Sequence, residues 1–241
     1  MNDRRYLSAP SSLAPHDALL VPLKRCAACL AIASAIWTIG GCSLGVMAGK
    51  MLFGDPTQSA AFHTVTDVDL TKGDKSVLIV ASTPQAAKQA QAGLDLLIAE
   101  RVSRTLRGKG VKVYPSKKVL NWVDNRGGQW GSPDEVASAF PDADYIVEID
   151  VDQFNHLEES SPDLYRGRAM GNVRAYEVIK LGDGRSASPV FSREFSCTYP
   201  SMFPKQAHQI SERTFKEEFT NRVCGEITHL FYDHKASDTV Y

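Results

Sequence analysis

Apolar residues change their spacing several times along this chain, and each change predicts an element. Residues 77–81, Val-Leu-Ile-Val-Ala, form a continuous apolar run closed by Pro84; that suits a strand buried on both faces. Leu94, Leu97, Ile98, Val102 and Leu106 then recur at helical spacing. They predict one helix over 86–107, stopped by Gly108 and Gly110. A short strand over 111–114 ends at Pro115, and Ser116 can cap a short helix carrying Val119, Leu120 and Val123. Gly127, Gly128 and Gly131 break the chain around Trp130. Ser132-Pro133-Asp134-Glu135 opens another helix, with serine as cap, proline first and acids in the first turn.

Strict alternation takes over at 143–152. Tyr145, Val147, Ile149 and Val151 share one face of a strand, and Glu148, Asp150 and Asp152 the other. A polar loop is expected over 155–163, then a second long strand over 164–181. One face of that strand holds only small residues and valine, namely Gly167, Ala169, Gly171, Val173 and Ala175, which would let a helix pack closely. Gly182-Asp183-Gly184 is a hairpin turn signal, and a third strand is expected over 189–199. Ile210, Phe215, Phe219, Val223, Ile227, Leu230 and Phe231 form a helical stripe, so a long helix is predicted over 204–232. Residues 57–73 are polar and threonine-rich and predict a loop with at most a short strand. The expected fold class is α/β (α+β): a single mixed sheet with an antiparallel C-terminal half, helices packed on it and a long C-terminal helix.

The N-terminal stretch follows a different logic. Lys24 and Arg25 precede an uncharged run from Cys26 that continues to Gly49, interrupted by Ile39-Gly40-Gly41-Cys42. A positive segment, an apolar segment and small residues before a cleavage point are the layout of a secretory signal. With cysteine directly after the glycine pair, it resembles a bacterial lipoprotein signal. The resemblance implies that Cys42 is acylated and becomes the mature N-terminus. An uncleaved transmembrane anchor is the rival reading, since about 20 apolar residues cross a bilayer. Either reading leaves Lys24 and Arg25 inside and the rest of the chain outside. The expected organisation is therefore 1–41 lead and signal peptide, 42–74 lipidated N-terminus and tether, 75–233 α/β domain, and 234–241 polar tail. Residues 1–23, with Asp3, Asp17 and three prolines, are unusual for a signal. A true start near Val21 would explain them.

Charge narrows the partners. The chain has 27 basic and 28 acidic residues. Removing 1–41 takes away Arg4, Arg5, Lys24 and Arg25 with Asp3 and Asp17, leaving a mildly acidic mature part. No nucleic-acid partner is expected, because such proteins usually carry a basic stripe. Cys26 and Cys29 lie inside the apolar signal, so their C-x-x-C spacing is not read as a redox motif. Cys197 and Cys224 remain; they are either a disulfide, which an exported compartment permits, or two buried free thiols.

The order of elements, the apolar strand at 77–81, the helix opening on Ser132-Pro133-Asp134, Asp142-Ala143-Asp144-Tyr145-Ile146-Val147 leading into the long strand, and the hairpin at 182–184 carry a further resemblance. The domain is similar to a group of envelope lipoproteins. The group includes the curli-secretion channel subunit, the penicillin-binding-protein activator lipoprotein and the N-terminal domain of the Tol-system translocation protein. It implies a non-enzymatic module that assembles, bridges the envelope or binds a protein partner, with homo-oligomerisation as an option. It carries across no catalytic residue and no cofactor. A palmitate-bearing lipid anchor and an envelope protein partner follow as expectations. Ser43 after the lipidated cysteine gives no aspartate-type retention signal, so the outer membrane facing the periplasm is the expected address.

Three constellations are candidates for function. Trp122 and Trp130, with the glycine-rich loop between them, form one candidate partner surface, and the loop at 155–163 with His156 is another. The alternative for the tryptophans is that they cap the core. Glu148 with Asp150 or Asp152 could serve a cell-wall hydrolase or hold a metal. Cross-strand ion pairs with Arg166, Arg168 and Arg174 account for the same residues. His229 and His234, five apart, would fall on different faces of a helix, and no zinc set is visible. A small-ligand pocket between helix and sheet is the third functional option.

Overall fold

The computed structural model describes residues 54–159, 161–182 and 184–239. The chain divides into Met1–Pro56 and Thr57–Tyr241, and the second unit carries the fold. Cys42 and the whole signal segment lie outside the described residues.

The strands are β1 (Thr57–Gln58), β2 (Ser76–Ser82), β3 (Lys112–Val113), β4 (Tyr145–Glu158), β5 (Ser161–Leu181), β6 (Gly184–Tyr199), β7 (Lys205–Gln206) and β8 (His234–Lys235). The helices are α1 (Ala61–Thr66), α2 (Gln85–Ala90), α3 (Leu94–Gly108), α4 (Ser116–Asp124), α5 (Pro133–Ala139) and α6 (Glu212–Thr228). Six strands make one mixed sheet in the order β3-β2-β4-β5-β6, with β7 beside β5, and β1 pairs separately with β8. β2 runs parallel to both β3 and β4, while β4, β5 and β6 are antiparallel. The mixed sheet with an antiparallel C-terminal half is the fold class that the alternation predicts.

β2 is apolar throughout because both its faces are covered. Val77 and Ile79 join the core under α1, α3 and α6, whereas Leu78 and Val80 join a second cluster under α4 and α5. The small-residue face of β5 does admit a helix. A Cβ added at Gly167 would collide with the Phe219 ring of α6, and one at Gly171 with the Asp150 carbonyl and the Phe195 ring. Ser211 caps α6 by accepting from Thr214 N–H at 3.1 Å. Ser132 caps α5 in the same way through Glu135 N–H.

Several boundaries differ from the pattern. The helix expected over 86–107 is two, α2 and α3, because Gly93 takes a left-handed φ of 69° between them. The helix expected over 204–232 begins only at Glu212, because Lys205 and Gln206 pair with Tyr165 and Leu164 of β5. The loop expected over 155–163 is mostly strand, since β4 runs to Glu158 and β5 begins at Ser161. The domain also exceeds 75–233. Phe62 and Leu70, expected in a tether, are fully buried. Phe62 sits edge-on to Tyr145 at 5.4 Å and beside Phe231 at 5.7 Å. At the other end, His234 and Lys235 pair with Gln58 and Thr57, so part of the expected polar tail is β8.

Candidate functional site

The edge of β2 is where the fold leaves backbone open. Asp144 N–H donates to the Ser76 carbonyl at 3.0 Å on the β4 side, and Tyr114 N–H donates to the Val77 carbonyl at 2.8 Å on the β3 side. Backbone groups of successive strand residues point in opposite directions, so Ile79 and Ala81 face the β3 side as Val77 does. But β3 pairs only with Ser76 and Val77. Proline follows Tyr114, and the chain turns away into α4.

A cavity of about 230 Å³ lies where the β3 lane runs out. Ile79 and Ala81 contribute from β2, Leu96 and Ala99 from α3, and Val119 and Val123 from α4. Gly127 and Gly128, both with positive φ, carry the chain round so that Trp130 also lines it. Lys88 and Asp95, paired at 2.8 Å, tie α2 to α3 among the lining residues. A roomier depression of about 520 Å³ is lined by Gln91, Arg101, Glu212, Arg213, Lys216 and Glu217. Two ion pairs cross it, Lys216 with Glu212 at 2.6 Å and Arg101 with Glu217 at 3.9 Å.

The two tryptophans have different roles. Trp122 packs edge-on to Phe140 at 5.5 Å, with the Arg126 guanidinium 4.8 Å above its ring. Arg126 in turn pairs with Glu135. Trp122 therefore caps the second cluster, which was the alternative to a partner surface. Trp130 packs on that cluster too and reaches the cleft. His156 does not join them. It lies on β4, 7% exposed, on the sheet face covered by α6, and its Nε2 is 2.9 Å from Glu212. Burial and the Lys216 charge lower its pKa, against the pull of Glu212. A buried strand residue replaces the expected exposed loop histidine.

The acids on β4 are held by protein partners. Arg174 sits opposite Glu148 across the ladder, with Nη1 3.2 Å from its carboxylate, and Tyr176 donates to the other oxygen at 2.9 Å. Ser82 donates to Asp150 at 2.6 Å, and Arg174 lies 3.8 Å from it. Asp152 is exposed, beside a register shift between Val151 and Gln153. Arg166 and Arg168 do not pair with this set as expected. The longer hairpin brings them to Glu158, at 3.7 and 2.6 Å. Arg168 is the main cause of the lowered Glu158 pKa.

Cys197 and Cys224 are both buried and both free thiols, so the structure forms no bridge between them. Burial pushes each up to about 12. His229 and His234 are not on opposite faces of one helix. α6 ends at Thr228 and the chain folds back, so the rings stack at 4.1 Å. Burial, then the neighbouring His234, lowers His229 to about 4. Among the described residues, no group of three or more His, Cys, Asp or Glu is placed to hold a metal ion, and no helix is long and apolar enough to cross a membrane.

The open β2 edge was missed in the sequence, although a signal was present. The β3 run of 111–114 is shorter than the β2 run and is stopped by Pro115. A strand that ends before its neighbour leaves that neighbour unpaired.

No family model and no curated protein matches this chain. Several solved structures are similar in part. The PelC dodecamer from Paraburkholderia phytofirmans shares 13% identity, with 73% of this chain and 96% of that chain covered and a TM-score of 0.36. Lipoprotein GNA1162 from Neisseria meningitidis shares 14%, covering 62% and 95%, also at 0.36. A minor lipoprotein from Acinetobacter baumannii shares 11%, covering 65% and 90%, at 0.28. Likeness at this level assigns no role to any residue.

Proposed function

We propose that this chain is an envelope lipoprotein, anchored through Cys42, whose domain is a non-enzymatic module that binds a protein partner. The signal at Ile39-Gly40-Gly41-Cys42 supports the anchor. The observation that carries the binding role is the apolar cleft at the unpaired edge of β2, with Trp130 in its wall. The address is the outer membrane, facing the periplasm. The hydrolase alternative would need Glu148 with Asp150 or Asp152. Those first two carboxylates are engaged by Arg174, Tyr176 and Ser82, which is the arrangement cross-strand pairing predicts.

The test is a crosslinked pull-down from detergent-solubilised membranes, with the intact mass read from the same sample. A diacylated or triacylated chain beginning at Cys42, recovered with one reproducible envelope protein, supports the proposal. An unlipidated mass removes the anchor. A lipidated chain recovered alone removes the protein-binding role and leaves the cleft to a small ligand, which native mass spectrometry would detect.

A further inference from the structure

The cleft has two properties that together define its occupant. Its walls are mostly apolar, with the paired Lys88 and Asp95 and the Asp124 carboxylate among them, and its floor is a length of main chain with hydrogen-bonding groups to spare. Ile79 and Ala81 each point one N–H and one C=O away from β4, and no partner for these four groups is present among the described residues. Ile79 is only 5% exposed. Backbone polar groups of a residue as buried as Ile79 are normally paired, while those of Ala81 are partly exposed. An apolar small molecule would fill the walls and leave them unpaired. The alternating donors and acceptors are complementary in charge to one thing above all, another extended main chain.

We infer that an extended segment of a partner protein adds to the sheet beside Ile79 and Ala81, continuing the lane that β3 occupies for only two residues, and inserts one apolar side chain between Leu96, Ala99, Val119 and Val123. This deepens the protein-binding role proposed above and rests on it. Main-chain bonds supply the affinity in such strand addition, and the pocket for an alternate side chain supplies the selectivity. The short β3 and the turn at Pro115 keep the lane open. α3 and α4 on either side shield an edge that would otherwise invite indiscriminate pairing.

The experiment uses the full chain in its membrane, with a photoreactive p-benzoylphenylalanine at Leu96, which is 39% exposed at the cleft. Control chains carry it at Met170 or Phe203, which are 47% and 80% exposed elsewhere on the domain. The expected result is a crosslink from Leu96 to one segment of a partner, absent from both controls. A synthetic peptide of about eight residues copying that segment should then bind the purified protein. N-methylating alternate amides of the peptide should weaken binding by about tenfold or more in one register and leave the other unchanged, because only every second amide faces β2. Ala99→Phe, which fills the pocket, should abolish binding, while Ala99→Ser should keep it.

Equal binding of both methylated registers, within about twofold, overturns strand addition. So does a Leu96 crosslink to a second copy of this chain, to a small molecule or to nothing. A partner captured through Met170 or Phe203 instead would leave the protein-binding module standing and sink the cleft as its site.

Discussion

The two halves of the sheet solve burial differently. In the parallel half, β2 is covered on both faces, by α3 on one and by α4 and α5 on the other. Its cost is a strand edge that β3 covers for only two residues. In the antiparallel half, β4, β5 and β6 are long; α6, with Phe62 of α1, covers one face, and α5 sits on the end of the other at Ser186 and Ala187. The other face carries Glu148, Asp150 and Arg174, with exposed Asp152, Met170 and Ser192. Two covered faces make β2 uniformly apolar and leave part of its backbone edge unpaired among the described residues. One covered face makes β5 alternate, and its resource is the close seat it gives to α6.

Substitutions at Phe219, Gly167, Glu148 and Asp144, with comparison variants beside them, probe this contrast in order of falling effect. Phe219→Ala removes a fully buried ring packed on Gly167, and we expect it to cost about 3–5 kcal/mol in denaturant unfolding. Val119→Ala on the parallel side should cost clearly less, because α5 and Phe140 share that cluster. Equal losses would contradict the leading share of α6 in burying the antiparallel half. Gly167→Val should cost about 1–3 kcal/mol by overpacking. The same change at exposed Gly182, in the turn, should act only through its positive φ.

Glu148→Ala should cost about 1–2 kcal/mol. Breaking a buried pair costs more than this, but Arg174 is 37% exposed and water screens its charge. Glu148→Gln, which still accepts from Tyr176, should cost less, and neither change should alter partner capture. A loss of capture with unchanged stability would move the functional site to the open face.

Asp144→Asn should cost about 1 kcal/mol at neutral pH. Asp144 accepts from Ser76 N–H at 2.7 Å and from its hydroxyl at 2.9 Å, with Lys75 3.4 Å away. Burial opposes the charge, but these partners outweigh it and hold the carboxyl below its ordinary value of 3.8. A lowered folded-state pKa stabilises the fold at pH above the ordinary value, and that contribution is lost as pH falls through the lowered one. Stability curves of the wild type and the variant should therefore run apart at neutral pH and converge below about pH 4. Parallel curves down to pH 2 would show that Asp144 does not link the starts of β2 and β4.

Much of the fold was legible because its periods were clean. The alternation at 145–151 and the run at 77–81 gave the strands and their different burial. Ser132 and Pro133 marked α5 correctly. What was not legible arose where a contact distant in sequence overruled a local pattern. Lys205 and Gln206 belong to β7 because Leu164 and Tyr165 offer them a ladder. Phe62 lies in the core because Tyr145, Phe191 and Phe231 surround it. The polar reading of 155–163 failed because Asn155, Leu157 and Glu158 pair across the hairpin with Arg168, Tyr165 and Ser161, and a ladder holds polar residues as well as apolar ones. Of the candidate sites, the ion pair of Glu148 with Arg174 was readable from strand parity. The destination of Arg168 was not, because a bulge near Val151 shifts the register beyond it.

The sequence by itself determined the mixed character of the sheet, the Ser132 cap of α5 and the close seat for a helix on β5. These depend on neighbours within a few positions, where period and residue size act directly. Ser116, by contrast, was expected as a cap and is the first residue of α4 behind Pro115. Only the tertiary structure decided that β3 stops short, that Trp122 is a cap while Trp130 reaches a cleft, and that His156 is sealed under α6. Each depends on which element ends beside which, and hydrogen-bonding capacity left over at a strand edge exists only once the neighbouring strand has a place and a length.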